Sequence, residues 1–141
     1  MRLNGGQTAT LQAKETKRIE MVAMRAVIAA EQALGFAPRD VSADKCGYDI
    51  ESRDPAGGSR LRFIEVKGRV QGVDTVTVTK NEILTALNKP DQFILAIVQV
   101  NGEQAVDITY VRQPFGREPD FGVTSVNYRL SELLSRGGPP Q

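Results

Sequence analysis

Within residues 11–34 the apolar positions Ile19, Val22, Ala23, Ala26, Ala30, Ala33 and Leu34 recur at helical spacing, and Gly35 follows. That period predicts a long amphipathic helix stopped by the glycine. Beyond Phe36-Ala37-Pro38 and a short segment around residues 40–42 the period falls to two. Tyr48 and Ile50 alternate with Asp49 and Glu51, which predicts a strand over residues 48–53. Asp54-Pro55-Ala56-Gly57-Gly58 reads as a turn, and residues 60–67 as the returning arm of a β-hairpin. Residues 75–79 alternate with β-branched side chains and are expected to form a third antiparallel strand.

Residues 80–88 change period again. Ile83, Leu84 and Leu87 fall on one helical face, and Asn88-Lys89-Pro90 ends the element. The unbroken apolar run of residues 93–100 predicts a strand buried on both faces, turned by Asn101-Gly102 into a last arm over residues 106–111. Residues 114–122 read as irregular and residues 130–136 as a closing helical turn. The predicted order is αβββαβ with one added strand, an α/β chain with a mixed sheet flanked by helices. Residues 1–10 are expected to be a flexible lead-in or linker and 137–141 a frayed tail, leaving 11–136 as one domain.

Composition narrows the chemistry. A chain of 141 residues, 40% hydrophobic and 25% charged, fits one soluble globular domain, and its shortness points to a piece of a larger protein. Eighteen basic against 17 acidic side chains leave a net charge of +1, so any grip on nucleic acid has to come from local patches. The lone Cys46 cannot close an internal disulfide, and no signal-peptide or membrane-length apolar run is present, which fits a reducing cytoplasm and no membrane partner. With no His in the chain, Ser-His-Asp and Cys-His catalysis and most zinc sites are excluded. Carboxylates and Lys remain.

Those groups cluster. On a strand over residues 60–67, Glu65 and Lys67 share one face with Leu61 and Phe63, while Ile64 and Val66 take the other. Asp49 on the partner arm falls opposite or diagonal to Glu65, according to the register the Gly57-Gly58 turn sets. Asp49, Glu65 and the Val66 carbonyl offer hard oxygen ligands to Mg²⁺ or Mn²⁺, and Lys67 is placed to position an attacking water and offset charge building on a phosphate. A Glu-x-Lys pair on a strand is commonplace and usually solvated. Here it lies in a sheet that should be largely buried, where charges are rare without a reason.

The segments Gly47-Tyr48-Asp49-Ile50, Phe63-Ile64-Glu65-Val66-Lys67-Gly68-Arg69 and Val76-Thr77-Val78-Thr79-Lys80-Asn81-Glu82 resemble the domain named after the C-terminal part of the plant protein NO VEIN. That domain is similar to the PD-(D/E)XK superfamily, and the resemblance spans about residues 19–128. It implies a restriction-endonuclease-like core, a Mg²⁺ site and a DNA substrate. Within that pattern Asp49 and Glu65 match the metal ligands and Lys67 the catalytic lysine, while Tyr48 stands where the superfamily name has Pro. In bacteria such domains resemble C-terminal modules of superfamily-two helicases or translocases, which implies those domains as partners.

Supporting residues are proposed around this trio. Glu31, near the end of the first helix, is the better acidic candidate beside the metal, ahead of Glu20, eleven positions earlier on nearly the same face. Glu82 in the first turn of the second helix is a further candidate, against the plain reading of a helix-dipole partner. Arg60, Arg62, Arg69 and Lys80 are candidates for contacts to DNA phosphates. Tyr48 and Phe63 read as core. An enzyme cutting both strands would pair two sites, which a homodimer supplies. The rival reading is a non-catalytic DNA- or protein-binding module that keeps the nuclease fold.

Overall fold

The structure is a computed structural model, and it describes residues 5–58 and 60–141. Helix α1 (Gly5–Ala33) starts upstream of the expected residue 11, so part of the predicted lead-in is helical, while residues 1–4 lie outside the described residues. It ends as the sequence requires. Gly35 takes φ of 93°, and the Phe36 N–H donates to the Glu31 carbonyl at 3.0 Å, closing the last turn.

Strands β1 (Ala37–Asp40), β2 (Ile50–Arg53), β3 (Leu61–Val70), β5 (Phe93–Asn101) and β6 (Gln104–Arg112) make one mixed sheet in the order β1-β2-β3-β5-β6. Pairing is antiparallel except between β3 and β5, which run parallel. A parallel neighbour needs a crossover, and β4 (Thr75–Thr79) with α2 (Lys80–Asn88) provides it. The first strand of this sheet, β1, was expected only as a short segment.

The antiparallel third strand predicted over residues 75–79 is a strand, but it does not join that sheet. β4 pairs with β7 (Ser125–Arg129) in a separate two-stranded sheet, closed by α3 (Leu130–Ser135). Gly72, at φ of 93°, turns the chain out of the sheet plane after β3. Val76 and Val78 then face inward and the threonines outward, an alternation that fixes a strand but not its partner.

Two cores result. On one face of the large sheet α1 sets Val22, Ala23 and Val27 against Ile50, Ile64, Ile94, Ala96 and Val98. On the other, Val76, Val78, Ile83 and Leu133 pack on Phe93, Leu95, Ile97 and Val111. β5 is therefore buried on both faces, as its continuous apolar run predicts. The frayed tail expected over residues 137–141 is instead tied to β6. Tyr110 and Gly138 exchange both backbone hydrogen bonds, at 2.8 and 3.0 Å, and a Cβ on Gly137 would stand 2.9 Å from the Tyr110 carbonyl oxygen. Close backbone approach, rather than looseness, accounts for that glycine. Among the described residues no helix is long and apolar enough to cross a membrane.

Candidate active site

β2 stops early, and the site lies where it stops. Its last ladder pair is Ile50 with Ile64, so β3 continues from Glu65 to Val70 with β5 on one side and an open edge on the other. Asp49 sits at the bend just before β2, not within the strand as predicted. Its N–H donates at 2.8 Å to the carbonyl of Ile64, the residue that Ile50 already pairs with, which ties Asp49 to the edge of β3 just past the end of the ladder. Its Oδ2 accepts the Val66 N–H at 2.9 Å. A single carboxylate thus replaces the missing strand as the acceptor on that edge.

Glu65 and Lys67 project from the same face of β3, toward β4 and α2. Lys67 Nζ lies 3.4 Å from Glu65 Oε2 and donates to Glu82 Oε1 at 3.0 Å. Glu82 is fixed from its own helix by a capping box. Thr79 Oγ1 accepts the Glu82 N–H at 3.2 Å, and Glu82 Oε1 accepts the Thr79 N–H at 2.9 Å. The dipole-partner reading of Glu82 and the site reading therefore describe one side chain, because the oxygen that caps the helix also holds Lys67.

Three carboxyl groups meet one ammonium here in a largely buried place. Burial and the charge of Asp49 push the Glu65 carboxyl up to about 10, so it keeps its proton at neutral pH. Asp49 is raised by burial, against the opposing pull of the Val66 N–H, a hydrogen bond with Glu65 and the Lys67 charge. Burial pushes Glu82 up as well, but its bond to Glu65, the nearby Lys67 charge and the Thr79 N–H outweigh that and bring it below the ordinary carboxylate range. Among the described residues no group of three or more His, Cys, Asp or Glu side chains is arranged to hold a metal ion by itself. Mg²⁺ needs no such cage, since it binds through one or two carboxylates and keeps its waters.

The cluster opens into a groove of about 920 Å³ between α1 and the free edge of β3, lined by Lys17, Glu20, Arg25, Asp49, Glu65, Lys67 and Arg69 among others. Gly68 lets α1 come close, since a Cβ there would stand 3.0 Å from Ala23 Cβ and 3.1 Å from the Ile19 carbonyl oxygen. Arg69 donates from Nε to the Thr75 carbonyl at 2.9 Å, and burial lowers its pKa.

Several expectations are corrected. Glu31 is not beside Asp49 and Glu65. It is fully buried on the α1 face, where it accepts Arg62 Nε and Nη2, both at 2.9 Å, and the Tyr110 hydroxyl at 2.8 Å. All of its acceptor capacity faces inward. The same pair removes Arg62 from the phosphate-binding candidates, because it is 5% exposed and its guanidinium stacks 4.3 Å from the Phe36 ring centroid. Arg60 is exposed, but stands by Phe36 at the far end of β3 from the groove. Arg69 is in the groove, whereas Lys80 opens α2 without lining it. Glu20, ranked below Glu31 from the sequence, is the acidic residue of α1 that lines the groove. Lys17 and Arg25, which sequence reasoning missed, join it from the same helix. Their signal was the spacing from Ile19 and Ala23, the residues that meet Gly68. Tyr48 and Phe63 pack together with ring centroids 4.6 Å apart, as core residues do.

Comparison with known proteins places this geometry. A family model described as "Protein NO VEIN, C-terminal" matches residues 19–111. Among curated proteins none matches the chain. The fold is similar to that of Hjc, a Holliday junction resolvase from the archaeal hyperthermophile Archaeoglobus fulgidus, with a TM-score of 0.59 and 16% identity over 85% of this chain and 90% of that one. At that identity the likeness is one of fold, and it bears out the restriction-endonuclease-like core expected from the sequence.

Proposed function

Because the chain belongs to the NO VEIN C-terminal family and has a nuclease-like fold, we propose that it hydrolyses phosphodiester bonds in DNA with the help of a divalent cation. The observation that carries this reading is the convergence of Asp49, Glu65 and Lys67 at the open edge of β3, facing a groove. The donor set fits a hard cation, since one buried and two half-buried carboxyl groups are balanced by one Lys and Glu65 is left holding a proton that a cation would displace. Asp49 and Glu65 would hold Mg²⁺ or Mn²⁺. The Val66 carbonyl would join them, for Val66 directs its N–H to Asp49 and its carbonyl shares that open edge. When bound, such a cation supplies Lewis acidity at the phosphate.

The remaining work falls to the chain itself. Lys67 Nζ orients the attacking water and offsets negative charge on the phosphate, and Glu82 keeps the ammonium aimed there. Glu20 and Arg69, across the groove, border the path of the strand. We further propose a setting in which helicase or translocase domains of a longer protein deliver the DNA.

A plasmid-nicking assay with Mg²⁺ or Mn²⁺ tests the reading. Wild type is expected to cut, and Lys67→Ala to cut on the order of 10²- to 10⁴-fold more slowly with its fold intact. Equal cutting by the two proteins overturns it. One observation favours a second reading, a non-catalytic DNA- or protein-binding module. Lys67 is held by two carboxyl groups at once, as in a structural ion pair. In that case wild type does not cut, and Asp49→Ala and Glu65→Ala leave DNA or partner affinity unchanged.

A further inference from the structure

Seven large apolar side chains stand exposed among the described residues, and three of them, Met21, Val70 and Val73, meet in the groove that holds the candidate active site. An apolar side chain exposed singly is ordinary, but several gathered in one concave place mark a contact surface. Met24 and Ile28, both half-buried, line the same groove. Positions 17, 21, 24, 25 and 28 recur at helical spacing, so a single stripe of α1 forms this wall, largely apolar and carrying Lys17 and Arg25.

The stripe reaches the candidate cutting site. α1 runs antiparallel to β3, since Glu31 meets Arg62 while Ile19 and Ala23 meet Gly68. Met24, Arg25 and Ile28 therefore lie level with the part of β3 between Arg62 and Gly68, which carries Glu65 and Lys67. Met21 and Lys17 extend the wall toward Val70 and Val73. From Lys17 to Ile28 the stripe covers about 16 Å along the helix axis.

Charge limits what such a wall can hold. Among the described residues four basic and five acidic side chains line the groove, and two of the bases are already engaged, Lys67 by Glu82 and Arg69 by the Thr75 carbonyl. No cationic excess is left to grip a duplex through its phosphates. A duplex also keeps its bases stacked inside and turns sugar and phosphate outward, so the apolar stripe would go unused. An unpaired strand exposes the faces of its bases. Met21 and Met24 suit those faces, because a thioether is polarizable and adapts its shape to a π-system.

We propose that this wall, Met21, Met24 and Ile28 facing Val70 and Val73, takes unpaired bases of the DNA strand being cut, while Lys17 and Arg25 take its phosphates. The proposal rests on the nuclease reading and names its substrate class, DNA that is single-stranded at the cut.

The test is an anisotropy titration of the full chain in EDTA, where no metal-dependent cutting occurs. The ligands are a single-stranded oligonucleotide, the same strand as a duplex, and an abasic strand of the same length, each at several salt concentrations. The intact single strand is expected to bind at least tenfold more tightly than the other two. Met21→Gln combined with Val73→Thr should weaken single-strand binding about tenfold and leave its salt dependence unchanged. Lys17→Ala and Arg25→Ala should each reduce the slope of log affinity against log salt by about 0.7. All four side chains are exposed, so these substitutions spare the core. Equal affinity for duplex, abasic and intact single strand, or unchanged affinity in the Met21→Gln, Val73→Thr variant, overturns the proposal. Absence of single-strand binding overturns it too, and leaves the groove to a protein segment on the open edge of β3. If wild type never cuts in Mg²⁺ yet prefers the single strand and loses that preference in the double variant, the nuclease reading fails and the base-binding wall stands. If it cuts but binds duplex and single strand alike, the wall fails and the nuclease reading stands.

Discussion

The two faces of the large sheet each bury a cluster of ionisable side chains, and the clusters differ in how their charge closes. On the α1 face Glu31 receives two bonds from Arg62 and one from the Tyr110 hydroxyl, so one acid meets one base and one neutral donor. On the α2 face Asp49, Glu65 and Glu82 meet only Lys67. The first arrangement is complete in itself and sealed beneath α1. The second is short of positive charge and opens into a groove. A balanced buried network specifies packing, whereas an unbalanced one at a solvent opening has room for a cation and a substrate.

Removing one partner from the balanced cluster should cause the largest change. Glu31→Ala leaves the Arg62 charge buried without a counter-ion and should cost about 3–5 kcal/mol in urea denaturation, with any cutting activity retained per folded molecule. If stability barely moves, the contrast between the two faces is wrong. Next in size is the effect of a cation on the unbalanced cluster. Mn²⁺ at a hundredfold its dissociation constant should stabilise wild type by about 2.7 kcal/mol in a thermal-shift titration. Asp49→Asn and Glu65→Gln should lose that shift, and a shift of equal size in both variants would remove the metal reading.

A further effect follows from Glu65 alone, smaller than these per pH unit. Its carboxyl is raised from 4.5 to about 10 in the fold, so between those values the folded chain binds a proton that the unfolded chain releases. Metal-free stability should therefore fall as pH rises through this window, by up to about 1.4 kcal/mol per pH unit from this group. Glu65→Gln should flatten the slope, as measured by denaturation at several pH values. An unaltered slope would mean that Glu65 is not charge-frustrated.

The contrast between the faces was only half legible in the sequence. Strict alternation put Glu65 and Lys67 side by side, and the span of α2 was readable because helical period, Glu82 in the first turn and the Pro90 stop agreed. The side of the sheet that α1 covers was not readable. Helical periodicity names the buried stripe of α1 but not its target, so Glu31 looked equally suited to either face. Arg62 lies 31 residues away in the chain, and only the packed sheet shows that the two meet. The pairing of β4 with β7 was hidden for a similar reason. Val126 and Tyr128 do alternate, but the strand is five residues long and follows an irregular stretch, with its partner pair Thr77 and Asn127 fifty residues apart.

Glu82 offers the finest test, because one of its oxygens serves both the fold and the cluster. Oε1 accepts the Thr79 N–H at 2.9 Å and Lys67 Nζ at 3.0 Å. Thr79→Ala removes the hydroxyl that accepts the Glu82 N–H and should cost about 1 kcal/mol, the usual value of an N-cap. Glu82→Gln keeps a residue suited to the capping box and should cost less than that, while withdrawing the charge that holds Lys67. If Glu82 acts only as a cap, Thr79→Ala is the more damaging substitution in every measurement. If it also aims Lys67, the order reverses between assays, with Thr79→Ala worse for stability and Glu82→Gln worse for metal-dependent cutting. That crossing is the outcome expected here, since the cap can be rebuilt by a neutral amide and the ion pair cannot.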